Sequence, residues 1–222
     1  CDAKKFIKLL TNELIKNKIN KNPDNVKKEW LNTCKEWKNK YDPVKKEFFG
    51  DHNYVHPYAF IRTLSKKMGK NDTFVADCGG NIVISNHSFE TKLGQRYFTN
   101  NGNSPMGFSF AGGMGACVAN PKVNTVCVIG DGGMNMNIQE LQTIINYKIP
   151  VKIFIINNGG YLTMKLMQQK NFKNFVGADK NSGLTMPKFI SVAKSFGFHA
   201  IKLSNETNLD KKLKSILKSK KP

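Results

Sequence analysis

Two short stretches of this 222-residue chain hold the residue types best suited to chemistry. One is Gly130-Asp131-Gly132-Gly133, directly after the apolar run 125–129. The other is Asn157-Asn158-Gly159-Gly160-Tyr161, directly after the apolar run 151–156. Each reads as a buried strand ending in a glycine-rich turn. Asp131 and Asn158 are 27 residues apart, which accommodates one turn, one helix and one strand, the content of a right-handed βαβ crossover. If the two strands are neighbours, a carboxylate and an amide oxygen meet at one edge of the sheet. These are hard ligands suited to Mg²⁺, which keeps octahedral geometry and commonly bridges to phosphates. The glycines beside Asp131 let backbone N–H groups approach an anion closely, and the helix starting there turns its positive end towards it.

The elements that must hold these turns follow from the hydrophobic pattern. Helices are predicted over 58–68, 107–118, 138–147, 187–196 and 209–217, and buried strands over 73–76, 125–129, 151–156 and 199–203. The helix over 107–118 is rich in small residues and can pack closely on a sheet. The alternation of strand and helix implies an α/β fold: an open, mostly parallel sheet with helices on both faces. Ligands of such sheets bind beyond the carboxyl ends of the strands, where both glycine-rich turns fall. The first strand ends at Asp77-Cys78-Gly79-Gly80, and Asp77 there reads as a cap for the next helix or turn. Residues 1–45 have a different texture. Phe6, Leu9, Leu10, Leu14 and Ile15 recur at helical spacing, and Val26, Trp30, Cys34 and Trp37 share one face of a second helix that Asp42-Pro43 breaks. This piece lacks the strands for a core of its own and reads as the tail of a preceding domain plus a linker. The start at Cys1 rather than Met fits that reading.

Composition narrows the class further. The formal charge is +19, but of 35 basic residues only Arg62 and Arg96 are arginines. Nucleic-acid readers favour Arg forks clustered on one face, whereas the lysine runs near 16–46 and 211–221 fall on helical patterns as solvated faces. No nucleic-acid partner is expected, although the charge would attract anionic substrates. The most apolar stretch, 149–156, is interrupted by Pro150 and Lys152 and is too short to span a bilayer. Cys1, Cys34, Cys78, Cys117 and Cys127 form no metal-ligand spacing. Cys117 and Cys127 lie in apolar runs as core residues, so a reduced, cytoplasmic protein without a membrane partner is the expectation. His52, His56, His87 and His199 have no partners at ligand or triad spacing. Met114, Met134, Met136, Met164 and Met167 read as core or pocket lining. A dinucleotide fold is disfavoured, because no GxGxxG follows the first strand.

Gly130-Asp131-Gly132 followed at this spacing by Asn157-Asn158 resembles the signature of thiamine-diphosphate enzymes. The string 128–161 is similar to their acetolactate-synthase-like branch. Gly102-Asn103-Ser104-Pro105-Met106-Gly107 resembles that branch's turn for the aminopyrimidine ring, and 171–189 is similar to members from surface-polysaccharide gene sets. The resemblance implies that residues 46–222 form the thiamine-diphosphate-binding domain, cut short at its C-terminus. It implies Asp131, Asn158 and the Gly160 carbonyl as Mg²⁺ ligands, and Gly80, Asn81, Ile82, Gly132 and Gly133 around the diphosphate. Ser104 would offer its carbonyl to the 4′-amino group, Met106 would support the cofactor's bend, and Tyr161 would complete the binding site. The implied enzyme is a carboligase or acyl transferase acting on a 2-oxo acid such as pyruvate, with a 2-oxo acid or keto-sugar as acceptor. It would work as a homodimer or homotetramer with active sites at the interface. The alternative is a catalytically silent regulatory or scaffolding subunit.

Three departures qualify that picture. Thr163-Met164-Lys165 stands where related decarboxylases carry a catalytic glutamate. The Gln-His pair that acetolactate synthases present to the diphosphate stands as Asn81-Ile82. The glutamate that activates the cofactor belongs to a pyrimidine-binding domain that this sequence does not contain, so no catalytic residue is assigned within it and the fragment alone is expected to be inactive.

Overall fold

A computed structural model describes residues 2–19, 25–50 and 52–219. Cys1, the side chain of Val26 and residues 220–222 lie outside the described residues. The chain divides into two compact units, Cys1–Pro43 and Val44–Pro222. The first holds helices α1 (Ala3–Lys16) and α2 (Asn25–Lys40). Asp2 caps α1 by accepting the Lys5 N–H at 2.9 Å. In α2, Trp30 and Trp37, two turns apart, meet edge to face at 5.6 Å.

The second unit runs α3 (Pro57–Lys67), β1 (Thr73–Ala76), α4 (Gly80–Ser88), β2 (Arg96–Phe98), α5 (Phe108–Ala119) and β3 (Thr125–Gly130). Then come α6 (Asp131–Met136), α7 (Glu140–Asn146), β4 (Lys152–Ile156), α8 (Leu162–Asn171), α9 (Phe189–Ser195) and α10 (Leu209–Lys218). The four strands make one open sheet in the order β2-β1-β3-β4, and every pair is parallel. Strand alternation divides the core in two. Phe74, Ala76, Val126, Val128 and Phe154 face α3 and α10, whose Phe60, Leu64, Leu209 and Leu213 cover them. Cys127 and Ile129 face the other way, onto Phe110, Met134, Leu141, Ile144 and Phe189 of α5, α6, α7 and α9. Each large side chain buried in these layers stabilises the fold by roughly 1.5–3 kcal/mol. The expected α/β sheet with helices on both faces is therefore present.

Gly113 of α5 lies close against β3: a methyl group there would be 3.2 Å from Cys127 Cβ, so a larger residue would have to push the strand or the helix back by a few tenths of an ångström. Cys117 and Cys127 are both buried, as their apolar context implies, and burial pushes the Cys127 thiol up to about 12. Among the described residues no helix is long and apolar enough to cross a membrane.

The structure corrects one element. The segment 199–203 is not a strand and makes no ladder with β4. Phe198 packs against the core layer beneath α9, whereas Leu203 packs against the layer beneath α10. Side chains on both layers are what an edge strand would show, but the backbone of 199–203 makes no ladder bonds to β4, so the segment runs as irregular chain. The pattern also left α4, β2 and α8 unassigned.

Candidate functional site

Residues Gly130 and Ile156 are paired in the β3–β4 ladder, so the two glycine-rich turns leave the sheet side by side. Asp131, the first residue of α6, is 2% exposed. Its Oδ1 accepts the Gly132 N–H at 2.7 Å, and its Oδ2 accepts the N–H groups of Asn158, Gly159 and Gly160 at 3.2, 2.8 and 3.0 Å. Charge-assisted bonds of this kind are stronger than neutral ones. They fix the carboxylate and wrap the second turn around it. The side chain of Asn158 is left at the exposed rim of the same turn.

Two glycines are required here by close approach. A methyl group on Gly132 would lie 2.1 Å from Tyr161 Cε1 and 3.0 Å from Met106 Cε, so the Tyr161 ring and the Met106 thioether lie against the Gly132 backbone. At Gly160 a methyl would lie 2.2 Å from the Ala178 carbonyl oxygen, where the chain bridges to Asp179. Asp179 in turn pairs with Lys165 of α8 and accepts from Ser182, and the hydrogen bond from Lys165 is the main reason its carboxyl lies below the usual range.

Asp77, at the end of β1, is 1% exposed. It caps not the helix that follows but α5, thirty residues on. Its Oδ2 accepts the Gly107 N–H and its Oδ1 the Ser109 N–H, both at 3.1 Å. Burial raises its pKa, and these amides oppose the shift. Gly107 has φ 87°, and its carbonyl accepts Nδ2 of Asn137 at 2.8 Å. Ser104 also has a left-handed backbone, with φ 48°. It is exposed, as is Met106.

A cleft of about 1450 Å³ runs from these strand ends along the open edge of β4, past residues 198–204. Gly80, Asn81, Met106, Asp131, Gly132, Gly133, Asn158, Gly160 and Tyr161 line it, whereas Ile82 and Ser104 do not. Gly80, Asn81 and Ile82 form the first turn of α4. Reasoning from sequence missed Asn137 altogether and undervalued Asp77, because what each does depends on a contact thirty residues away. Thr163 and Met164 reach the cleft wall, but Lys165 does not. Of the four histidines only His199 lines the cleft; His52, His56 and His87 belong to an aromatic cluster with Tyr54 and Tyr58.

Residues 77–222 match the thiamine pyrophosphate enzyme C-terminal TPP binding domain. The chain belongs to the thiamine pyrophosphate enzymes. It is 31% identical over 205 residues to a probable acetolactate synthase large subunit of Methanocaldococcus jannaschii, covering 88% of this chain and 33% of that protein. To a probable acetolactate synthase large subunit of Methanococcus aeolicus it is 30% identical, over 97% of this chain and 37% of the relative. To the acetolactate synthase isozyme 3 large subunit of Escherichia coli K12 it is 28% identical, over 97% of this chain and 37% of the relative. This thiamine pyrophosphate enzyme sequence thus spans about a third of the length of those relatives.

Proposed function

We propose that this chain is the C-terminal diphosphate-binding module of a thiamine-diphosphate- and Mg²⁺-dependent carboligase that transfers an acyl unit from a 2-oxo acid such as pyruvate. The acceptor is a second 2-oxo acid or a keto-sugar. The observation that carries this reading is the clamp at Asp131, where a buried carboxylate at the end of β3 is gripped by three amides from the end of β4.

The residues fit a Mg²⁺–diphosphate group. A carboxylate offers about four lone-pair positions over its two oxygens. Oδ1 of Asp131 accepts only the Gly132 N–H among the hydrogen bonds described, which leaves it capacity for a cation. Among the described residues no group of three or more His, Cys, Asp or Glu side chains could hold a metal. A site of one carboxylate, the Asn158 amide oxygen and the Gly160 carbonyl suits Mg²⁺, which takes its remaining ligands from water and phosphate. Gly133 and the first turn of α4 would present backbone N–H groups to the anion, since the Gly132 N–H is already donated to Asp131. Met106 and Tyr161, both against the Gly132 backbone, flank the diphosphate pocket.

When bound, thiamine diphosphate supplies the electron sink for the carbanion left by decarboxylation of the 2-oxo acid. This chain orients that group, shields it and neutralises its diphosphate. Thr163 and Met164 line the cleft where a decarboxylase would place a carboxylic acid. With no carboxylic acid at that position to protonate the carbanion, capture by an acceptor carbonyl is favoured, which supports ligation. The activating carboxyl group comes from another domain, contributed across a homodimer or homotetramer interface.

The test is pyruvate consumption with saturating Mg²⁺ and thiamine diphosphate, comparing full-length enzyme with the 222-residue chain. Turnover by the full-length enzyme, with a two-carbon ligation product and a fragment near background, is expected. A positioned proton-transfer group contributes about 10²–10⁴-fold, so equal turnover by the fragment would refute the division of labour. Cofactor binding without turnover in either protein would favour a regulatory subunit.

A further inference from the structure

Three loops that are far apart in sequence lock together beside the clamp. Asp77 uses both carboxylate oxygens on the turn before α5, accepting from Gly107 and Ser109. Its own N–H donates to the Val128 carbonyl at 3.0 Å, which ties it to β3. Asp77 also presses on the Gly130–Gly133 turn, since a methyl group on Gly133 would lie 2.2 Å from Asp77 Oδ2. From the far end of that turn, past α6, Asn137 reaches back and donates to the Gly107 carbonyl at 2.8 Å. A methyl on Gly107 would strike both Asn137 Nδ2, at 2.4 Å, and the Gly133 carbonyl oxygen, at 3.1 Å. Gly107 is therefore held on its N–H side by Asp77 and on its carbonyl side by Asn137, and neither side has slack.

The residue before Gly107 is Met106, whose methyl lies against Gly132. We propose that Asp77 and Asn137 are positioning residues that fix the Met106 turn to the diphosphate loop, and so set the relative placement of the two ends of a bent cofactor. This rests on the cofactor reading above. Asp77 lines the cleft, but both of its carboxylate oxygens are engaged by the turn, and its chemistry is that of an acceptor serving two donors at once. Asparagine cannot replace it, because its single acceptor oxygen would leave one of the two amides facing an NH₂ group.

The experiment compares two probes on full-length protein with Mg²⁺ present: inorganic diphosphate, which reads the clamp alone, and thiamine diphosphate, which needs both ends. Calorimetry is run on wild type, Asp77→Asn and Asn137→Ala. The last variant removes one donor from a half-buried residue and serves if Asp77→Asn fails to fold. Each variant is expected to bind inorganic diphosphate as wild type does but to lose preference for thiamine diphosphate, about tenfold or more for Asp77→Asn, the scale of one charge-assisted hydrogen bond, and about threefold or more for Asn137→Ala, whose lost bond is neutral. The near-ultraviolet circular dichroism induced in the bound cofactor, which depends on how its rings are held, should change with it. An equal loss for both ligands, or no loss for either, overturns the positioning role. A wild type that itself fails to prefer thiamine diphosphate overturns the cofactor reading, and the positioning role falls with it.

Discussion

Replacing Asp131 by alanine removes the acceptor on which four backbone amides converge. The cost follows from where those amides lie. Asn158 and Gly159 are exposed, so their N–H groups regain water and each lost bond costs only about 0.5–1.5 kcal/mol. Gly132 and Gly160 are buried, and each orphaned N–H costs roughly 1–3 kcal/mol. Against this, the variant no longer desolvates a carboxylate that is 2% exposed. The net expectation is a loss of about 2 kcal/mol for Asp131→Ala without metal or cofactor. Asp131→Asn should fall between the two. Its oxygen can serve the Asn158 turn, but its NH₂ then opposes the Gly132 N–H, which Oδ1 now accepts at 2.7 Å. The assay is urea denaturation at 25 °C in chelator, followed by far-ultraviolet circular dichroism, with midpoint and slope compared among the three proteins. An Asp131→Ala protein as stable as wild type would show that the amides do not hold the carboxylate, and the clamp argument would fail.

Two further outcomes follow from the same geometry. Gly132→Ala should destabilise the unliganded protein by about 1–3 kcal/mol through overpacking, and much less in a Tyr161→Ala background, because the Tyr161 ring is the nearest obstacle; a double-mutant cycle showing simple additivity would contradict that packing. The Asp179 pair should be sensitive to acid. Its folded pKa is depressed, mainly by the hydrogen bond from Lys165, so the stability it contributes is present above the ordinary Asp pKa of about 4 and is lost as pH falls through the lower folded value. The melting-temperature gap between wild type and Asp179→Asn should close below that pH, and a gap that widens on acidification would refute it.

How much of this was legible beforehand varies with the physics of each element. Strands β1, β3 and β4 stood out because a parallel strand buried on both faces is an apolar run, and the glycine turns stood out because they end such runs. α4 hid behind Ile82, Val83 and Ile84, whose branched side chains favour strands and which here form a helix beginning at the cleft. β2 is only three residues long and carries no detectable period. α8 exposes Leu162, Leu166 and Met167 and buries no residue, so it lacks a one-sided stripe. The pattern at 199–203 misled because its side chains pack on the two core layers as a strand's would, while its backbone makes no ladder with β4. Within the site, the meeting of Asp131 with the Asn158 turn was readable from local spacing. The Asp77–Gly107–Asn137 lock was not, because it is made entirely of contacts between loops thirty residues apart.

The central claim is that Asp131, with Asn158 and Gly160, holds Mg²⁺ and a diphosphate as a unit at the ends of β3 and β4. Titration calorimetry of full-length protein with thiamine diphosphate tests it most directly, performed with Mg²⁺ and with chelator, on wild type and on Asp131→Ala. The account predicts binding by wild type that requires Mg²⁺ and is lost in the variant, because an uncompensated diphosphate would then face the sheet edge. Undiminished, metal-independent binding by Asp131→Ala would contradict it.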